Sequence, residues 1–505
     1  MAKSFKKLSS EQVGQMSLLS VLDRVDCTPE QRDFIEMDEK KSCLLIATAG
    51  SGKTFSVIQR MKELLSRGVP PEKMIFFSYT KAATEELQHR IGRNDVKVTT
   101  IHALSKGIRT RAMGKRDVVD FFDFINWFKE KYRPNKTTSK ESRVEFHSNI
   151  SNMYDDESYL SSAISSYKLQ SADDIKVPVP DYFFEYTKFL IETKSIDFAD
   201  MLIDVRNLLR IDKWLKMFRG KYDYIFVDEY QDTSSIQMQI LLSLNAKYYY
   251  LIGDRNQSIY AYSGANCRKI EAMLKSRRDV VEKTLTVNFR SDISIVQNSN
   301  RFSSLKAVPK SQKEGFVKRY IIHKIESPKL QNGEKTFIDL ISVLDSYDEV
   351  VVLVRTNSVI RNMEFELLKR KYPMRYFNYI SEKDIKSYRD GEIHDFLRKK
   401  VDEISNYFDG CVESVFKFIE DNKNSKKSIT SIHKSKGKEY DYCVVVNSIP
   451  PDLLIETGLS KELSPKQISR LSFDPKDEDD VDARNIHYVA VSRARHGLFF
   501  MIYDF

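Results

Sequence analysis

Residues 42–48 (SCLLIAT) form a short apolar run that closes on small side chains, the pattern of a strand buried on both faces. A glycine-rich break follows at residues 49–54 (AGSGKT). From Phe55 to about Ser66, apolar residues then recur at Val57, Ile58, Met61, Leu64 and Leu65, the spacing of one helix face. Residues 222–232 (YDYIFVDEYQD) give a second buried strand that runs into acidic side chains, and residues 248–252 (YYYLI) a third. Strand and helix signals alternate along most of the chain, which predicts an α/β fold with mainly parallel sheets. Residues 104–196 depart from that alternation. They are rich in Phe, Tyr, Ser and Lys with helical periodicity, and they predict an inserted helical subdomain.

Composition narrows the class. At 505 residues the chain is long enough for several domains of about 100–200 residues each. Its 41% hydrophobic content, with 26 Tyr and 30 Phe, supplies enough core to set aside a disordered or fibrous chain. A net charge of +9 fits a polyanion partner and equally fits a soluble enzyme with lysine-rich faces. Five cysteines (Cys27, Cys43, Cys267, Cys411 and Cys443) lie far apart, without a CxxC pair, which argues against structural zinc or a disulfide framework. Residues 1–10 are basic but no apolar core of signal-peptide type follows, and no apolar run reaches the ~20 residues of a membrane span. The expectation is a cytoplasmic protein without a membrane partner.

Strand, glycine loop and helix, in that order, are the context of a phosphate-binding loop. Ala49, Gly50, Ser51 and Gly52 would close backbone N–H groups around phosphates. Lys53 places a positive charge on the β- and γ-phosphates, and Thr54 offers its hydroxyl to Mg²⁺. Asp228 and Glu229 stand at a strand's C-terminal end, where ligands bind in open α/β sheets. Asp228 would hold Mg²⁺, and Glu229 would orient and deprotonate an attacking water. An acidic pair at a strand end is common on its own; the upstream loop gives it meaning. Gln257 follows the third strand, where an amide can sense a γ-phosphate or simply form a polar turn. ATP and Mg²⁺ are the expected cofactors.

Further segments fall in a fixed order: residues 28–31 (TPEQ), 78–87 (SYTKAATEEL), 100–102 (TIH), 197–202 (DFADML), 228–232 (DEYQD) and 253–265 (GDRNQSIYAYSGA). Residues 288–291 (NFRS), 352–357 (VLVRTN), 430–441 (TSIHKSKGKEYD) and 488–495 (YVAVSRAR) complete the series. With the phosphate loop, this order and content resemble a superfamily 1 helicase of the UvrD/Rep type, over nearly the whole chain. The resemblance implies two RecA-like P-loop NTPase domains. It places Gln31 on the adenine edge, Phe289 stacked on adenine, and Glu439 at the ribose. Arg290 would reach the γ-phosphate, and Arg493 would be the arginine finger. Tyr79, Thr80, His102, Tyr260, Tyr262 and His433 would line the single-strand path, with Tyr262 the best candidate for stacking on a base.

The first motor domain is then expected over residues 1–103 with 197–285, the helical insert over 104–196, and the second motor domain over 286–505. The family's large second insertion is expected to be absent or reduced to about residues 381–427, since only about 140 residues separate Arg290 from Thr430. Ser263, Lys438 and Asn485 depart from the family's usual residues without removing a catalytic group. The basic stretches 106–116 and 129–143 read either as phosphate contacts or as solvated faces, and the acidic run 474–482 as a solvated loop. No further Asp, Glu and Lys cluster suggests a fused nuclease. The expected activity is ATP-driven 3′–5′ translocation on single-stranded DNA with unwinding at single-strand/duplex junctions. The alternative is a DNA-stimulated ATPase subunit of a replication, repair or antiviral defence assembly, which does not unwind alone. A phosphate-loop signalling switch, indifferent to nucleic acid, is disfavoured by the motifs at residues 288–291 and 488–495.

Overall fold

The structure, a computed structural model, describes residues 27–134, 157–260, 264–320, 340–376, 379–390, 395–448 and 481–501, with isolated positions between 139 and 153. The described residues fall into two compact units. One takes residues up to 127 with 158–255 and 260–287; the other takes 128–157, 256–259 and the chain from 288 onward.

In the first unit, six strands pair in parallel: β1 (Ser42–Ala47), β2 (Met74–Phe77), β3 (Lys97–Thr99), β4 (Tyr224–Asp228), β5 (Tyr248–Gly253) and β6 (Val280–Leu285). Their order is β3-β2-β4-β5-β1-β6. Because β5 lies between β1 and β4, the loops after β1, β4 and β5 leave the same C-terminal edge side by side, which is where such sheets bind ligands. Every residue of β1 and β2 is buried, as expected of strands covered on both faces. The sheet packs under α1 (Pro29–Ile35) and α2 (Lys53–Ser66), whose Val57, Met61 and Leu64 join Leu45, Phe76 and Phe226 in one core. Next come α3 (Lys81–Ile91) and α4 (Ile101–Met113). The stretch expected to be a helical insert contributes α5 (Glu157–Ala172) and α6 (Phe183–Glu192). Then follow α7 (Phe198–Leu208), α8 (Ser235–Ser243) and α9 (Cys267–Lys275).

The second unit is built on a five-stranded parallel sheet of β7 (Phe316–Tyr320), β8 (Val350–Val354), β9 (Lys427–Ser431), β10 (Tyr440–Val446) and β11 (Ala494–Met501). The order is β9-β8-β10-β11-β7. Around it lie α10 (Ile293–Asn300), α11 (Asn357–Lys369), α12 (Glu382–Arg389), α13 (Asp395–Ser405), α14 (Val412–Asp421) and α15 (Val481–Val491). Helices α12 to α14 occupy the place of the reduced insertion. Their Ile385, Val401, Ile404, Val415, Phe416 and Ile419 share one core with β8 and α11, so they cover the unit's own sheet. Two α/β units with parallel sheets are the fold class expected from the alternating signals, and they are consistent with the two RecA-like domains that the resemblance implies.

Candidate nucleotide site and strand path

Gly50 and Gly52 carry positive φ angles of 71° and 78°, which only glycine adopts without strain, and so the chain turns tightly from β1 into α2. The Ser51 hydroxyl donates to the Thr48 carbonyl at 2.7 Å and closes the turn. Lys53 and Thr54 are the first two residues of α2, at its positive dipole end.

Gln31 is buried against this loop. Its Nε2 donates to the Ser51 carbonyl at 3.3 Å, while its Oε1 accepts from the Thr28 N–H at 3.0 Å. The Thr28 hydroxyl returns a bond from the Gln31 N–H, forming a capping box for α1. A Cβ on Gly52 would stand 2.9 Å from Gln31 Nε2, so the glycine makes room for the glutamine as well as for the turn. Motif reading missed Arg60. This fully buried guanidinium donates to the carbonyls of Ile35 and Met37 at 2.9 and 2.8 Å, to that of Asp38 at 3.2 Å, and to the Tyr250 hydroxyl at 2.9 Å. It fastens the end of α1 to α2. The available signal was an arginine on the otherwise apolar face of Val57, Met61 and Leu64.

Asp228 and Glu229 lie at the tip of β4, and Asp228 Oδ1 accepts the Glu229 N–H at 3.0 Å. Burial first, and then the Glu229 charge, raise the Asp228 carboxyl to about 7, partly offset by Lys53. The negative potential around Asp228 favours a bound cation, and its carboxylate and the half-buried Thr54 hydroxyl at the start of α2 are both oxygen donors of the kind a hard divalent cation takes.

In the second unit, Arg493 is 1% exposed. Its Nε donates to the Val489 carbonyl, its Nη1 to that of Lys438, and its Nη2 to the Ser492 hydroxyl and, at 3.2 Å, to Gln257 Oε1. Lys436 Nζ donates to the Gln257 carbonyl at 2.6 Å, and Asn485, a departure from the family pattern, donates to the Ser258 carbonyl at 3.0 Å. The structure thus brings Gln257 and Arg493 together although 236 residues separate them. Arg290 pairs with Glu439 at 2.7 Å and donates to the Ser492 carbonyl; Arg495 pairs with the same Glu439 at 2.6 Å. Burial opposes ionisation of Glu439, but the hydrogen bond from Arg495 and the charge of Arg290 hold its carboxyl below the usual range. Phe289 is 44% exposed beside this cluster, an aromatic face open for stacking.

The strand-path candidates divide. Tyr79 and Tyr260 stack with ring centroids 5.5 Å apart. His102 meets Phe198 edge-on at 5.3 Å, and burial lowers the His102 pKa, so the ring is neutral near pH 7. Phe198, half-exposed at the start of α7, was not singled out as an aromatic contact. The Thr80 hydroxyl accepts the Ala83 N–H at 3.1 Å and caps α3. His433 stands in the second unit, its pKa also lowered by burial. Tyr262 and Ser263 lie outside the described residues, as do 135–138, 140 and 141 of the second basic stretch and 474–480 of the acidic run. Within the basic stretch 106–116, Arg109 is buried and pairs with Asp204 at 2.8 Å, which assigns that one residue to packing. Among the described residues no helix is long and apolar enough to cross a membrane, and no His, Cys, Asp and Glu group has metal-site geometry.

A family profile described as the UvrD/REP helicase N-terminal domain matches residues 27–278, and one described as a viral superfamily 1 RNA helicase core domain matches 194–363. A probable DNA helicase II homolog of Mycoplasma capricolum is 25% identical over 408 residues, 74% of this chain and 55% of the relative. The ATP-dependent DNA helicase PcrA of Staphylococcus aureus is 25% identical over 391 residues, 71% and 52% of the two chains. That of Bacillus subtilis is 26% identical over 387 residues, 70% and 50%. The chain therefore spans about half the length of the curated relatives it matches. With collinear motifs, two parallel α/β units and these matches together, the chain belongs to the UvrD/Rep family of superfamily 1 helicases.

Proposed function

We propose that the protein is an ATP-driven motor that moves 3′ to 5′ along single-stranded DNA and unwinds at single-strand/duplex junctions. The observation that carries this reading is the shared edge of one sheet. The phosphate loop after β1 and the carboxylates after β4 emerge there, and the Tyr79 side chain, just past β2, stacks with Tyr260 in the same unit. Fuel chemistry and base-stacking aromatics thus rest on one rigid scaffold.

In this reading Lys53 holds the β- and γ-phosphates of ATP, with Gln31 on the adenine edge, Phe289 against its face and Glu439 at the ribose. Glu229 orients and deprotonates the attacking water. Gln257 senses the γ-phosphate, while Arg290 and Arg493 neutralise charge that develops on it. Thr54 and Asp228 would hold Mg²⁺, which supplies further charge neutralisation on the phosphates. Hydrolysis drives stepping along the strand. Tyr79, Thr80, His102, Tyr260, Tyr262 and His433 form the strand path.

Duplexes with a 3′ tail, a 5′ tail or blunt ends test the polarity. Unwinding of the 3′-tailed duplex alone, dependent on ATP, is expected; unwinding only from a 5′ tail contradicts it. A second reading has its own observation. Helices α12 to α14, in the place of the family's large second insertion, cover the second unit's own sheet, which fits a DNA-stimulated ATPase that translocates within a larger replication, repair or defence assembly. ATPase stimulation by single strands with no unwinding of any tail geometry favours that reading.

A further inference from the structure

Gln231 lies two residues past Glu229, and no motif role accounts for it. We infer that Gln231 is a positioning residue: its amide holds the Glu229 carboxylate and ties it to the turn after β5. The inference rests on the reading of Glu229 as the base that activates water.

Glu229 has φ 50° and ψ 44°, a left-handed backbone that a non-glycine residue keeps only when its surroundings fix it. Gln231 is 0% exposed. Its Nε2 donates to Glu229 Oε2, and its Oε1 accepts the Asp254 N–H at 3.2 Å. One side chain therefore joins the carboxylate after β4 to the backbone after β5. Gly253 makes the junction possible, since a Cβ there would stand 2.0 Å from Gln231 Oε1 and 2.8 Å from the Tyr230 ring.

The turn is braced behind the amide. The Tyr230 hydroxyl donates to Glu271 at 2.6 Å, and Arg255 forks onto both oxygens of the same carboxylate at 2.6 and 2.7 Å. Tyr230 and Arg255 are thereby fixed to one point on α9. From Asp254 the chain runs through Arg255 to residues 256–259, the segment that carries Gln257 and groups with the second unit. The amide therefore ties the carboxylate to the start of the turn that leads to Gln257.

The test is a double-mutant cycle on the full chain, read in single-turnover and steady-state ATP hydrolysis. Gln231→Met keeps the volume and removes both hydrogen bonds. On the otherwise unchanged protein it is expected to lower kcat about tenfold or more, with KM for ATP within about twofold. In a Glu229→Gln background the same substitution is expected to change the residual rate by less than about twofold, because its effect passes through Glu229. An unchanged kcat in the single variant, or an equal loss in both backgrounds, overturns the inference.

Calorimetric titration with ADP alone and with ADP plus aluminium fluoride needs no turnover. Gln231→Met is expected to bind ADP like the unchanged protein and the fluoride complex about tenfold more weakly. Equal losses for both ligands mark a merely structural role. An unchanged protein that hydrolyses no ATP defeats the functional reading instead, and the titration still decides the role of Gln231.

Discussion

Single residues in this fold do work that their type alone does not announce. His487 is fully buried on α15, with its Nδ1 3.1 Å from the Ser448 hydroxyl and its ring stacked on Phe500 and edge-on to Phe302. Burial depresses its pKa from 6.5 to about 3, with the charge of Arg301 adding to the effect. The folded state therefore refuses a proton that the unfolded chain accepts. Stability is complete above pH 6.5 and falls as pH drops from there towards 3. Urea unfolding at pH 7 and pH 5 is expected to show a loss of about 2 kcal/mol that His487→Phe does not share. Equal losses in both proteins contradict a neutral buried imidazole. The phosphate loop was legible at this scale because its code is local: two glycines, a lysine and a threonine meet between a strand and a helix. Gln231 was not, because its meaning depends on a glycine and a backbone N–H more than twenty residues downstream.

At the scale of elements, α1 is only 7 residues long, too short to persist without tertiary support, yet it carries Gln31 to the phosphate loop. Arg60 on α2 and Arg67, which caps its C-terminal end, provide that support, both reaching carbonyls just past the end of α1. Arg60→Met removes a donor from the carbonyls of Ile35, Met37 and Asp38 and from the Tyr250 hydroxyl. It is expected to cost about 3 kcal/mol in urea unfolding and to raise KM for ATP. A stability loss with KM unchanged would mean that α1 does not hold the nucleotide. The parallel strands were readable from their apolar runs, and the capping residues Thr28, Thr80 and Thr100 mark helix starts in the sequence. Helices α12 to α14 were harder to place. Their apolar faces have helical spacing, but spacing does not say which sheet they cover, and a reduced insertion and a core layer look alike until β8 and α11 are seen against them.

For the whole molecule, the two units carry complementary chemistry. The first holds the phosphate loop and paired carboxylates; the second holds Arg290, Arg493 and the segment with Gln257. The domain pairing and motor reading came from collinear motifs, whereas the docking of Arg493 on Gln257, across 236 residues, became visible only in the fold. The measurement that tests the account most directly is the steady-state ATPase rate with and without single-stranded DNA, with Lys53→Ala as the blank. The account predicts a rate strongly raised by DNA and abolished in the variant. A rate that the variant abolishes but DNA leaves unchanged would contradict it.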